Sequence, residues 1–187
     1  MFIMRNEKII KMCKKIVFAY MFIIFLFSSS LEVLLCDSIN GIAEAGCKKD
    51  ESVPPTKKKK LLKWLKAGNY RETYTAEPEV HESTGPHGGN VRTYYNPILV
   101  DDLNKGKTTF SRCATMIKEL YFSEEEEVIG YAVMIKVEKK SGKKGKGWLF
   151  YETFDGTNED VSYGKGISEC ADCHSDGVDY LLSDFRP

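Results

Sequence analysis

Between residues 90 and 154 the chain carries four runs in which apolar and polar positions alternate or β-branched and aromatic residues dominate. They are Asn90 to Asn96 (NVRTYYN), Ala114 to Phe122 (ATMIKELYF), Val128 to Glu138 (VIGYAVMIKVE, the longest) and Gly147 to Phe154 (GWLFYETF). A period of two is the mark of a pleated strand, so four strands are predicted. The acidic run Ser123 to Glu127 and the basic run Lys139 to Lys146 fall between them. Both read as exposed hairpin connections, which make neighbouring strands antiparallel. Upstream, KKKKLLKWLKA (Lys57 to Ala67) sets Leu61, Leu62, Trp64 and Leu65 on one side of a short helix that stops at Gly68-Asn69. The lysines read as its solvated face. The expected fold class is α+β, a predominantly antiparallel β-sheet with a few helices.

The first 30 residues follow a different pattern. Arg5, Lys8, Lys11, Lys14 and Lys15 precede the uncharged run IVFAYMFIIFLF from Ile16 to Phe27, with small residues at Ser28 and Ser30. A basic segment followed by an apolar one is the layout of an export signal, so residues 1–30 are read as a signal peptide cleaved near Ser30. The alternative is an N-terminal anchor extended through Leu31 to Leu35. Residues 31–56 are polar and irregular, with Pro54-Pro55 breaking any helix, and read as a flexible tether. The domain proper is placed at 57–187. Lysine plus arginine and aspartate plus glutamate both number 27, so bulk charge gives no reason to expect nucleic acid as a partner.

The chemistry is concentrated at ECADCHSDG, residues 169–177. Cys170 and Cys173 have the spacing that forms thioethers to the two vinyl groups of one haem, and His174 directly follows to coordinate the iron. The competing readings are weaker. Only 14 residues follow Cys173, too few for a thioredoxin-like fold, and a zinc site would need ligands beyond His81 and His87. The expectation is a single c-type haem domain in an exported protein, in a periplasmic or equivalent compartment. The sixth iron position separates an electron carrier from a catalyst or gas binder; Met116, Met134, His81 and His87 are the residues able to close it. Met116 shares a strand face with Lys118, and Met134 with Lys136. Trp148, Phe150 and Glu152 should share another, with Leu149 and Tyr151 behind them. Cys113 is read either as a disulfide partner of Cys36 or Cys47, or as a buried thiol.

The stretches YRETYTAEPEVHESTGPHGGNVRTYYNP, MIKELY, YAVMIK, GWLFYETF and GKGISECADCHSDGVDYLLS resemble the cytochrome P-460 family in order and spacing, over roughly residues 70–187. That family holds hydroxylamine-oxidising cytochromes P-460 and nitric oxide-binding cytochromes c-prime-beta. The resemblance implies an antiparallel sheet, a five-coordinate haem and commonly a homodimer. In the catalytic branch a lysine is also bonded to the porphyrin rim. Lys118, which stands 26 residues after Arg92, matches the cross-linking position, with Lys136 as the alternative. Glu152 is the candidate proton acceptor on the distal side. Phe150 is the candidate cap that would suit nitric oxide, and Arg92 would contact a haem propionate, the pocket or a structural salt bridge. The expected activity is hydroxylamine oxidation, alone or in combination with nitric oxide, with electrons passed to a soluble cytochrome. The alternative is a non-enzymatic protein that binds or buffers nitric oxide.

Overall fold

The computed structural model describes residues 52–123, 127–183 and 185. The expected signal segment, residues 31–51 of the expected tether, and Cys36 and Cys47 lie outside the described residues. In chain order the elements are α1 (Lys58–Ala67), a 3-10 turn (Asn69–Glu72), β1 (Thr75–Ala76), β2 (His81–Glu82), β3 (Asn90–Tyr95) and α2 (Pro97–Asn104). They continue as β4 (Thr115–Tyr121), β5 (Val128–Lys136), a 3-10 turn (Lys143–Gly145), β6 (Trp148–Thr153), β7 (Ser162–Lys165) and α3 (Ser168–His174). The four long strands form where the alternation predicts them. Every pairing is antiparallel, in the order β1-β3-β4-β5-β6-β7, with β2 also on β3. The α+β class with a mainly antiparallel sheet is therefore as expected.

Register sorts the side chains onto two faces, because directly paired residues of an antiparallel ladder point the same way. One face carries the rows Thr93–Lys118–Ala132–Glu152 and Tyr95–Met116–Met134–Phe150. It packs on Leu99, Phe110, Ala171 and Leu181, with Trp148 from the same sheet. The other face carries Tyr94–Ile117–Val133–Tyr151 and Arg92–Glu119–Tyr131–Thr153. It is covered by Leu61, Leu62 and Leu65 of α1 together with Tyr70 and Tyr74. Helix α1 ends at Gly68, whose left-handed backbone (φ 72°) returns its N–H to the Leu65 carbonyl. Of the expected tether, residues 52–56 are described. Pro54 is buried, and the Ser52 and Thr56 carbonyls accept from the Tyr74 and Tyr163 hydroxyls at 2.6 and 2.7 Å.

Two polar knots hold the faces in place. On the α1 side, the buried Glu119 carboxylate accepts from the Tyr70 hydroxyl, from Arg71 Nε at 2.7 Å and from the Tyr121 hydroxyl at 2.5 Å. On the opposite side, the fully buried Lys136 ammonium pairs with Asp179 at 2.6 Å, donates to Ser141 Oγ and lies 4.9 Å over the Trp148 ring. Asp179 also accepts from the Phe110 N–H at 2.8 Å. Helix α2 lay outside the predicted elements. Asn96 ends β3 and caps α2, accepting from Leu99 N–H at 2.9 Å, with Pro97 following in the first turn.

Removing one partner of a buried pair strands the other charge, which costs about 3–5 kcal/mol. Lys136→Met is expected to lower the unfolding free energy by about that amount in urea titration. Lys105→Met, which breaks the exposed pair with Asp101, should leave the midpoint unchanged. Equal effects from the two substitutions would contradict this account.

Candidate functional site

Helix α3 presents Cys170, Cys173 and His174, with Ala171 seated in the core below them. Cys170 is half-buried and Cys173 exposed, and both are free thiols. His174 is buried, and its Nδ1 donates to the Tyr180 carbonyl at 2.9 Å. That carbonyl comes from a turn in which Asp179 and Tyr180 have φ of 49° and 72°. The Asp179–Lys136 pair anchors this turn to β5. With Nδ1 occupied, Nε2 is left as the free ligand nitrogen. Burial holds the imidazole pKa below its ordinary value, and the neighbouring His87 and Lys118 act in the same direction. The ring is therefore kept neutral, as metal ligation requires.

A cavity of about 420 Å³ opens between α3 and the sheet. Lys118, Glu152, Phe150, Cys170, Cys173 and His174 all line it, so the sheet and α3 bring these expected residues together. Met116, Ala132, Met134 and Leu182 give it apolar walls, and the segment 84–87 closes one side. Phe150 lies with its ring centre 5.7 Å from that of His174. Lys118 is partly buried, and desolvation lowers its pKa against the opposing pull of Glu77 and Glu152. Burial, then the negative charges of Glu152 and Glu169, push the Cys170 thiol up to about 11. Glu152 accepts from His87 Nδ1 at 2.6 Å.

Other candidates lie elsewhere. Arg92 is on the α1 face of the sheet, where it donates to the Glu77 carbonyl at 2.9 Å and stacks 5.4 Å from the Tyr94 ring. It is not among the residues lining the cavity. Lys136 is committed to Asp179 and likewise does not line it. His81 is exposed beside Glu77, whereas His87, Met116 and Met134 reach the cavity. Cys113 is disulfide-bonded, which decides between the two readings of that residue. Asp179 and Tyr180 fall within the stretch GKGISECADCHSDGVDYLLS, but nothing local in it marks the turn that aims the Tyr180 carbonyl at His174. The bond from His87 to Glu152 joins residues 65 positions apart, so no local pattern marks it. The run PHGG, with Gly88 and Gly89 at φ 68° and 53°, was the available signal of a shaped loop there.

The family model described as Cytochrome P460 matches residues 67–181. The chain belongs to the cytochrome P460 family. No curated protein matches it. Membership makes it a haem protein of an oxidoreductase-like family. The residues present suit that cofactor: a neutral imidazole with one nitrogen free, two free thiols on the same helix, and an apolar floor of Met116, Ala132, Met134 and Phe150.

The lowered Lys118 pKa carries a testable sign. The unfolded chain holds a proton up to pH 10.5 that the folded chain releases earlier, so folding stability gains from this residue as pH rises toward 10.5. In protein whose Lys118 amine is free by intact mass, the stability of wild type relative to Lys118→Met should increase over that alkaline window. A difference that stays flat or falls would exclude a desolvated Lys118.

Proposed function

We propose that this cytochrome P460 is an exported c-type protein that oxidises hydroxylamine and passes the electrons to a soluble cytochrome. One haem would be joined by thioethers at Cys170 and Cys173 and held by His174 through Nε2, and Lys118 would be bonded to the porphyrin rim. The observation that carries the reading is the row Lys118–Ala132–Glu152 across β4, β5 and β6, which opens on the same cavity as Cys170, Cys173 and His174.

The bound haem supplies an iron that takes electrons from the substrate nitrogen. The chain does the rest. Cys170 and Cys173 are three positions apart, neighbours on one helical face, and each S–H would add across one vinyl group of a haem with no external oxidant. The carbonyl of Tyr180 fixes the His174 tautomer and makes Nε2 the stronger donor. Joining the Lys118 amine to a rim carbon would replace one N–H and one C–H by an N–C bond and release two protons and two electrons, the electrons to a two-electron oxidant of the peroxide class. Only a neutral amine is nucleophilic, and the burial that lowers the Lys118 pKa enlarges that fraction. Hydroxylamine loses protons together with electrons, and Glu152 is the carboxylate at hand to receive them. The disulfide at Cys113 fits an oxidising, periplasm-like compartment. A homodimer is the expected assembly.

Phe150, beside His174 and next to Met134 in the row Met116–Met134–Phe150, favours a second reading, in which the apolar pocket binds or buffers nitric oxide without turnover. An optical spectrum of the dithionite-reduced protein, with intact mass on the same sample, separates the two. A Soret band far to the red of ordinary c-type haem, abolished together with hydroxylamine turnover in Lys118→Met, is the expected result. Glu152→Gln should retain the red-shifted band and lose about 10²–10⁴-fold in turnover. Unchanged turnover in Lys118→Met would sink the catalytic reading. An ordinary c-type spectrum without turnover would support nitric oxide binding.

A further inference from the structure

We infer that the aromatic cluster on the α1 face of the sheet is a drain for oxidising equivalents, with Tyr70 as its redox station and Glu119 as the acceptor of the Tyr70 proton. The inference rests on the haem attachment proposed above and does not depend on which nitrogenous molecule the cavity takes.

Three observations converge on Tyr70. First, the rings form a continuous chain. Tyr70 meets Tyr94 edge-on with ring centres 5.3 Å apart, stacks on Trp64 at 5.4 Å and touches Tyr74 at 5.8 Å. Tyr94 belongs to the row Tyr94–Ile117–Val133–Tyr151, and Val133 and Tyr151 of that row also line the cavity. At the far end Trp64 is only partly buried. The chain thus runs from the sheet layer behind the cavity to a ring that solvent reaches.

Second, Tyr70 is fully buried, and its hydroxyl donates to the Glu119 carboxylate, which Arg71 Nε holds at 2.7 Å. Oxidation makes a phenol proton strongly acidic, so the electron leaves readily only where a base already accepts the O–H, and an ionised carboxylate is such a base. Burial, then the Glu119 charge, holds the Tyr70 pKa well above its ordinary value, so the electron and the proton leave a neutral phenol together. Third, other tyrosines lack this combination. Tyr151 donates to the Asn158 amide oxygen at 3.4 Å, and Tyr163, 6.4 Å from it ring to ring, donates to the Thr56 carbonyl at 2.7 Å. Tyr121 shares Glu119 at 2.5 Å but sits part-exposed at the end of β4, outside the chain of rings just described.

The step balances with an oxidant of the peroxide class. Hydrogen peroxide takes two electrons from the haem site and two protons from solvent and leaves as water. Tyr70 returns one of those electrons: its O–H bond breaks, the proton moves to Glu119, and a neutral phenoxyl radical remains. A one-electron donor such as ascorbate refills Tyr70 through Trp64, and Glu119 gives the proton back. The drain spares the haem when oxidant arrives and no substrate is at hand.

The test uses the intact ferric holoprotein, freeze-quenched after mixing with hydrogen peroxide. Electron paramagnetic resonance should show a tyrosyl radical whose pattern narrows in protein made with ring-deuterated tyrosine. Tyr70→Phe should lose that signal and bleach its haem faster under peroxide, whereas Tyr163→Phe should match wild type. Glu119→Gln keeps the phenol and removes the base, so loss of the signal there separates a redox role from packing. Trp64→Phe, at the part-exposed end, should keep the radical and slow its reduction by ascorbate; unchanged decay overturns the drain. A radical undiminished in Tyr70→Phe, or one lost only in Tyr121→Phe, also overturns it. So does a wild type that forms no protein radical while intact mass shows haem, and that result leaves the attachment reading standing. An intact mass without haem overturns both.

Discussion

The fold turns on one buried ion pair, Lys136 with Asp179. Taking both charges out of water costs several kcal/mol, and their attraction recovers this only when further hydrogen bonds complete the geometry. Here they do: Ser141 from the β5–β6 connection, the Phe110 N–H and the face of Trp148 surround the pair. The pair therefore clamps a strand end, a hairpin and the turn after α3 to one point. Because that turn delivers the Tyr180 carbonyl to His174, the orientation of the imidazole is decided by a charge that does not line the cavity. Gly145 supports the same region: a side chain there would collide with the Tyr180 ring at 2.9 Å.

The sheet separates two environments. On the α1 face, leucines and a cluster of tyrosines gather around the Glu119 carboxylate, and burial with that negative charge pushes the Tyr70 and Tyr121 hydroxyls well above their ordinary pKa. This face is packed against α1 and serves stability. On the other face, α3 stands off far enough to leave the cavity. Lys118 and Glu119 are adjacent in sequence, yet the pleat sends one to each environment: the lysine to the cavity, the carboxylate to the knot.

Inside the cavity desolvation sets the protonation of several groups at once. It disfavours the charged form, so it lowers Lys118 and His174 and raises Cys170. Desolvation thus favours the uncharged form of all three groups, the forms that the proposed attachment and cross-link use. Glu152, tied to His87, and Glu169 supply the negative charge. Perturbed groups gathered in one cleft are what a functional site looks like physically.

The four long strands, α1 and the Cys170–Cys173–His174 set were legible in the chain alone, since a period of two, a leucine stripe and that spacing are local patterns. The same alternation puts Phe150 on one face with Glu152, and Met116 with Lys118. Helix α2 was legible in principle from Asn96-Pro97 but was hidden behind the strand signal that ends there. Long-range packing set which strand rows align and which face meets α3. That choice brought Lys118 to Glu152, sent Arg92 to the opposite side, withdrew Lys136 into an ion pair and set His87 against Glu152. The physical reason is that within-strand alternation is written in consecutive residues, whereas register and facing depend on contacts between residues far apart in the chain, such as Lys136 with Asp179 and His87 with Glu152.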